Sequence, residues 1–146
     1  MNDNRDRSVA VDFDGTVVEF AYPLIGKPVP HAIECLHFLR KKGIGIILWT
    51  CRTGKGLEEA AGYMTKAGIP LLGVNSRPEE PGWPAGNKVF ASVYIDDASA
   101  GCPLRPSPGR PVVDWPKVMV ELDRVFPGEG FAKFSKRLVG DEDYTI

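Results

Sequence analysis

Little in this chain of 146 residues points to a disulfide scaffold, a cysteine–histidine metal site or a membrane anchor. It has three cysteines, Cys35, Cys51 and Cys102. The count is odd and no pair has metal-ligand spacing, so they read as free thiols in a reducing cytoplasm. The two histidines, His31 and His37, fall at the start and on the face of a predicted helix, away from the polar clusters described below. Charge of one sign is also scarce. The formal net charge is -1, and no global basic character argues for nucleic acid. The longest apolar run, Ile44 to Trp49 with Gly45 inside it, is far too short to cross a bilayer. Met1 to Ser8 is polar and lacks the apolar core of a signal peptide, so the cytoplasm is the expected location. No internal repeat is visible. What remains is an ordinary globular balance, 43% hydrophobic and 25% charged, in a length that suits one domain over residues 1–146 with a real core.

The chain is organised around Val9-Ala10-Val11-Asp12-Phe13-Asp14-Gly15-Thr16-Val17-Val18. An apolar strand delivers two carboxylates one residue apart, and they share a face while strand geometry lasts. Gly15 then permits a sharp turn, and Thr16 offers a hydroxyl. An Asp-Gly turn ending a buried strand would explain Gly15 alone. Two like charges at a strand end repel each other and need cationic compensation, which a divalent metal supplies directly. Oxygen-rich surroundings of this kind suit magnesium.

After that stretch, Val17 to Pro30 holds Pro23, Gly26, Pro28 and Pro30, which favour a short hairpin or irregular loop. His31 to Lys42 has helical spacing in Ile33, Leu36 and Leu39, and Gly43 stops it. Ile44 to Trp49 predicts a parallel strand covered on both faces. Residues 55–67 predict a second helix ended by Gly68. Ile69 to Val74 contains a short third strand, Asn75 to Asn87 is a Pro/Gly/Glu loop, and Val89 to Ile95 leads into a fourth strand. Pro103 to Pro111 reads as an irregular loop. Asp114 is an N-cap for a helix over 115–126. The tail past Pro127 has no assignable element. This order predicts an α/β fold with a mostly parallel central sheet and helices on both faces, three layers in all. Ligand sites of such sheets lie beyond the carboxyl ends of the strands. The polar clusters at 12–16, 50–54 and 96–97 each follow an apolar strand, so all three should meet on one edge.

Each cluster has chemistry to offer. Thr50 is a turn threonine or a hydroxyl donor to a phosphate oxygen. Lys88 is a solvated lysine or the cation that an anionic nucleophile and an anionic substrate require, with Arg52, Lys55 and Arg77 as rivals. Asp96 and Asp97 are costly at a sheet edge unless paired or metal-bound. Cys51 followed directly by Arg52 lacks the Cys-x5-Arg loop of cysteine phosphatases.

Asp12-Phe13-Asp14-Gly15-Thr16 resembles motif I, DxDx[TV], of the haloacid dehalogenase (HAD) superfamily. Thr50 resembles motif II, Lys88 motif III and Asp96-Asp97 motif IV, in family order over residues 8–126. The Trp49-Thr50-Cys51-Arg52 string is similar to magnesium-dependent HAD phosphatases and their small relatives. The resemblance implies a Rossmann-like HAD core. Asp12 would be the nucleophile that takes the phosphoryl group, and Asp14 the general acid/base. Thr50 and Lys88, with Gly15, Cys51 and Arg52, would contact the phosphate. Mg2+ would be bound by Asp12, the Asp14 carbonyl and the Asp96-Asp97 pair, Asp97 being favoured as the direct ligand. Neither Val17 to Pro30 nor Asn75 to Asn87 is long enough for a cap domain, so the implied protein is a capless phosphohydrolase. Its substrate would be a phosphorylated small molecule or an exposed phosphate on a larger one. The site would be open, or roofed by those two loops or a second subunit. Phe20, Tyr22, Leu24 and Ile25, with Arg77, Glu79, Glu80 and Trp83, would then set specificity or simply anchor their loops. A phosphate- or partner-binding module that keeps the fold without catalysis is the alternative.

Overall fold

The computed structural model describes residues 7–78 and 86–140. Four strands form one parallel sheet in the order β3-β2-β1-β4: β1 (Ser8–Val11), β2 (Gly45–Leu48), β3 (Gly73–Val74) and β4 (Val93–Ile95). The register pairs Val11 with both Leu48 and Ile95. Three strands therefore end at one level, and whatever follows each of them is delivered to a common edge. Period-two alternation splits the side chains. Val9, Val11, Ile46, Leu48 and Ile95 face the main core, while Ala10 and Ile47 face the other way.

The main core is where the helices pack. These are α1 (Ala32–Lys41), α2 (Gly54–Lys66), α3 (Trp115–Val125) and α4 (Phe131–Val139). They contribute Leu36 and Leu39, Ala60 and Met64, Val118, Met119 and Leu122, and Phe131 to one continuous cluster. Truncating a fully buried Leu36 or Leu39 to alanine would cost roughly 2–5 kcal/mol. Helix boundaries follow local chemistry. Gly43 and Gly68 take left-handed φ of 76° and 80° just past α1 and α2. The Asp114 side chain accepts from the Lys117 N–H at 3.2 Å, as an N-cap should.

Three findings refine the expectations from sequence. The described residues that line the opposite sheet face come from loops and strands. Among the described residues, Ala10 and Ile47 pack with Val89, Ala91, Trp49 and Tyr94, and the Pro/Gly-rich crossover from β3 to β4 holds no helix. Residues 103–111 are not wholly irregular. β5 (Leu104–Arg105) pairs antiparallel with β6 (Val112–Val113) across the loop; strands of two residues are too short to show alternation. The tail is also core. Phe38 stacks on Phe134 at 4.0 Å and meets Phe131 edge-on at 5.4 Å. The first N–H groups of α4, from Phe131 and Ala132, donate to the Asp123 carboxylate at 3.1 and 3.0 Å. That cap comes from α3, because Gly130 has no side chain to supply one.

Residues 17–30 form a short hairpin-like excursion. Val18 bridges to Pro28, Glu19 N–H donates to Lys27 O at 2.7 Å, and the tip exposes Phe20, Tyr22 and Leu24. No cap domain is present among the described residues. Glu79, Glu80 and Trp83 lie outside them. No helix among the described residues is long and apolar enough to cross a membrane.

Candidate active site

The expected edge exists. β1 lies between β2 and β4, so Asp12 to Thr16 sit between the loop starting at Thr50 and the Asp96-Asp97 pair. The turn after β1 is held from several sides. Asp12 N–H donates to Ile95 O at 2.9 Å, and Val17 and Val18 N–H donate to Phe13 O. Gly15 adopts φ 86°, which suits glycine. A Cβ at that position would lie 2.7 Å from the Asp97 carboxylate, so glycine lets the turn after β1 and Asp97 come together. Behind the turn, Val113 N–H donates to Gly15 O at 3.0 Å, and buried Trp115 Nε1 donates to Thr16 O at 2.7 Å.

Asp12, Asp96 and Asp97 can each place a carboxylate oxygen within 4.8 Å of the others. Thr16 ties two of them: its hydroxyl donates to Asp12 Oδ2 at 2.9 Å and accepts from the Asp97 N–H at 3.2 Å. Burial, a hydrogen bond with Asp97 and the charge of Asp96 push the Asp12 carboxyl up from 3.8 to about 8. Such a cluster is short of positive charge, and three oxygen donors with no sulfur or imidazole among them match a hard divalent cation. The triad is therefore a group that could hold a metal ion. Asp97 is in contact with Thr16 and lies against Gly15, while Asp96 Oδ1 accepts from the Ala98 N–H at 2.9 Å.

Asp14 faces a different partner. Both its oxygens accept from Arg52, Nε to Oδ2 at 2.8 Å and Nη2 to Oδ1 at 2.7 Å. The Arg52 side chain is 1% exposed and that of Asp14 12%. Arg52, expected at the phosphate, is thus engaged in a buried ion pair with Asp14. This hydrogen bonding, with the charge of Asp14, raises the Arg52 pKa despite the cost of burial.

Thr50 lies in the loop just past β2, on the expected edge. Its hydroxyl accepts from the Arg52 N–H at 3.1 Å and keeps its own O–H as a donor. Cys51 is exposed with a free thiol. Lys88 is exposed, and its ammonium sits 5.0 Å from the centroid of the Tyr94 ring rather than on the acids. Two residues that the sequence did not single out shape the edge. Asn75, at φ 51°, clamps Thr50 by accepting from its N–H at 2.8 Å and donating to its carbonyl at 2.9 Å. Trp115 anchors Thr16. The one sequence signal for Asn75 is its type, since Asn tolerates left-handed backbone directly after a strand.

No protein-family model matches this chain, and no curated protein matches it. A solved structure of a conserved protein from Bacteroides thetaiotaomicron is similar, with 34% identity and a TM-score of 0.65 over 82% of this chain and 90% of that one.

Proposed function

From the premise that this chain belongs to the same family as the conserved Bacteroides thetaiotaomicron protein, we propose that it is a magnesium-dependent phosphohydrolase acting on phosphate monoesters. One observation carries the reading: Asp12, Asp96 and Asp97 converge beside Asp14 at the carboxyl edge of a parallel sheet. The resemblance of the four motifs to the HAD superfamily supports it. Asp12, Asp96, Asp97 and the Asp14 carbonyl would hold Mg2+, which when bound would favour ionised Asp12 and offset the charge on the phosphate.

The chain's own residues do the rest. An Asp12 carboxylate oxygen bonds to phosphorus as the bond to the leaving oxygen breaks, and that oxygen takes a proton from Asp14. Asp14 then takes a proton from water while the water oxygen bonds to phosphorus and the Asp12–phosphorus bond breaks. Inorganic phosphate leaves and Asp12 is restored. The Thr50 O–H donates to a non-bridging phosphate oxygen. Lys88 joins this scheme by swinging off the Tyr94 ring, which a four-carbon stem permits. Phe20, Tyr22 and Leu24, at 46%, 59% and 73% exposure, offer an apolar rim for the leaving group. The substrate class is a phosphorylated small molecule or an exposed phosphate on a larger one, met in the cytoplasm.

The test is magnesium-dependent release of phosphate from an aryl phosphate by the parent protein and by Asp12→Asn. Turnover by the parent, abolished in a well-folded variant, is the expected result. Substantial activity in Asp12→Asn would remove the covalent step. Phosphate binding without turnover by the parent would favour the non-catalytic module.

A further inference from the structure

Arg52 is more completely committed than any other charged side chain at this edge. It lies two residues after Thr50 in the loop between β2 and α2, and its guanidinium lies over the rings of Phe13, at 5.3 Å, and Tyr22, at 5.2 Å. Besides its fork on Asp14, Nη1 donates to Pro23 O at 3.1 Å and Nη2 to Leu24 O at 2.8 Å. A guanidinium has five N–H donors, and these four bonds leave only one. A bidentate grip on phosphate needs two parallel donors.

We infer that Arg52 is a positioning residue for Asp14: it fixes the plane of that carboxyl and ties the orientation to the backbone of the 20–25 segment. The inference rests on the phosphohydrolase reading. A carboxyl oxygen has two lone pairs, and Arg52 uses one on each oxygen of Asp14. The other lone pairs stay available to carry the proton, through the 12% of the side chain that remains exposed. The same cation holds Pro23 and Leu24 at the rim where a leaving group would enter. Loss of the fork leaves Asp14 in place but lets its carboxyl rotate, so proton delivery to the leaving oxygen suffers before phosphate binding does.

Leaving groups separate this role from the others. A p-nitrophenolate departs with little need of a proton, whereas an alkoxide needs one. Arg52→Lys keeps the charge but not the fork. It should lower kcat/KM for a simple alkyl phosphate by about 100-fold or more, the scale of general acid catalysis. For p-nitrophenyl phosphate the loss should stay under about 10-fold, with KM near the parent value. Tyr22→Leu removes one of the two rings that Arg52 lies over, at an exposed position, and should shift the alkyl-to-aryl ratio the same way by several-fold. Parallel loss on both esters in a folded Arg52→Lys would overturn the inference, as would a uniform rise in KM. If Arg52→Lys does not fold, an unchanged ratio in Tyr22→Leu overturns it. A parent protein that hydrolyses neither ester overturns the phosphohydrolase reading and this inference together, whereas parental turnover with parallel losses overturns the inference alone.

Discussion

Replacing Gly15 with alanine, beside Gly101→Ala, separates backbone strain from damage to the acidic cluster. Both glycines occupy left-handed backbone, with φ of +86° and +81°. An L-residue there costs roughly 1–2 kcal/mol, so each variant should lose about that much stability in urea titrations. The surroundings differ. A Cβ at Gly101 meets nothing within 4 Å, whereas at Gly15 it would lie 2.7 Å from both Cγ and Oδ2 of Asp97. Ordinary contact begins near 3.4 Å, so the Asp97 carboxylate must retreat by about 0.7 Å, the difference between the two distances. Magnesium holds its ligands at about 2.0–2.1 Å in nearly ideal octahedral geometry, and such a displacement is about a third of that bond. Calorimetric titration should show Mg2+ affinity of Gly15→Ala reduced at least about tenfold, or about 1.4 kcal/mol, with Gly101→Ala near the parent. Equal Mg2+ binding by the two variants would refute the placement of the ion against Asp97.

Two further outcomes follow from the same edge. Trp115→Phe removes the 2.7 Å donor to Thr16 O and leaves a buried carbonyl short of a partner, so unfolding should become easier by about 1–3 kcal/mol; no change in denaturation midpoint would contradict the anchoring role. Asp12 has a folded-state pKa of about 8 against 3.8 in the open chain, so its contribution to the stability of the metal-free protein is fully present below 3.8 and is lost as pH rises through about 8. Denaturation at about pH 6 and about pH 9 should show the metal-free protein weakening with pH while the increment from added Mg2+ grows. An increment that shrinks with pH would speak against carboxylate ligation.

Much of this arrangement was readable from sequence because strong local patterns carried it. Val9 to Val11 and Ile46 to Leu48 are apolar runs bounded by turn residues, and the parallel register then brought Asp12, Thr50 and Asp97 to one edge. The pairing of charges within that edge was not readable. Arg52 stands in the expected cluster, but its partner Asp14 is 38 residues upstream, and only the folded chain shows that the guanidinium is spent on it. Asn75 and Thr50, 25 residues apart, present the same difficulty. Helix α4 has no local start signal, because its cap, Asp123, belongs to another helix. The β5–β6 ribbon has too few residues for a pattern. Order along the chain brings Lys88 near the acidic pair but says nothing of whether its stem turns toward the acids or toward Tyr94.

The bond from Trp115 to Thr16 joins residues 99 positions apart, and the one from Val113 to Gly15 spans nearly as far. During synthesis, Asp12 and Asp14 emerge early, but the turn that presents them lacks its backing until the segment reaching Trp115 has also left the ribosome. A nascent chain that ends soon after Asp97 would hold all three acids and still lack the two donors that fix the turn. The backing of the acidic edge is therefore a late event in the synthesis of the molecule, because it comes from a segment that follows all three acids.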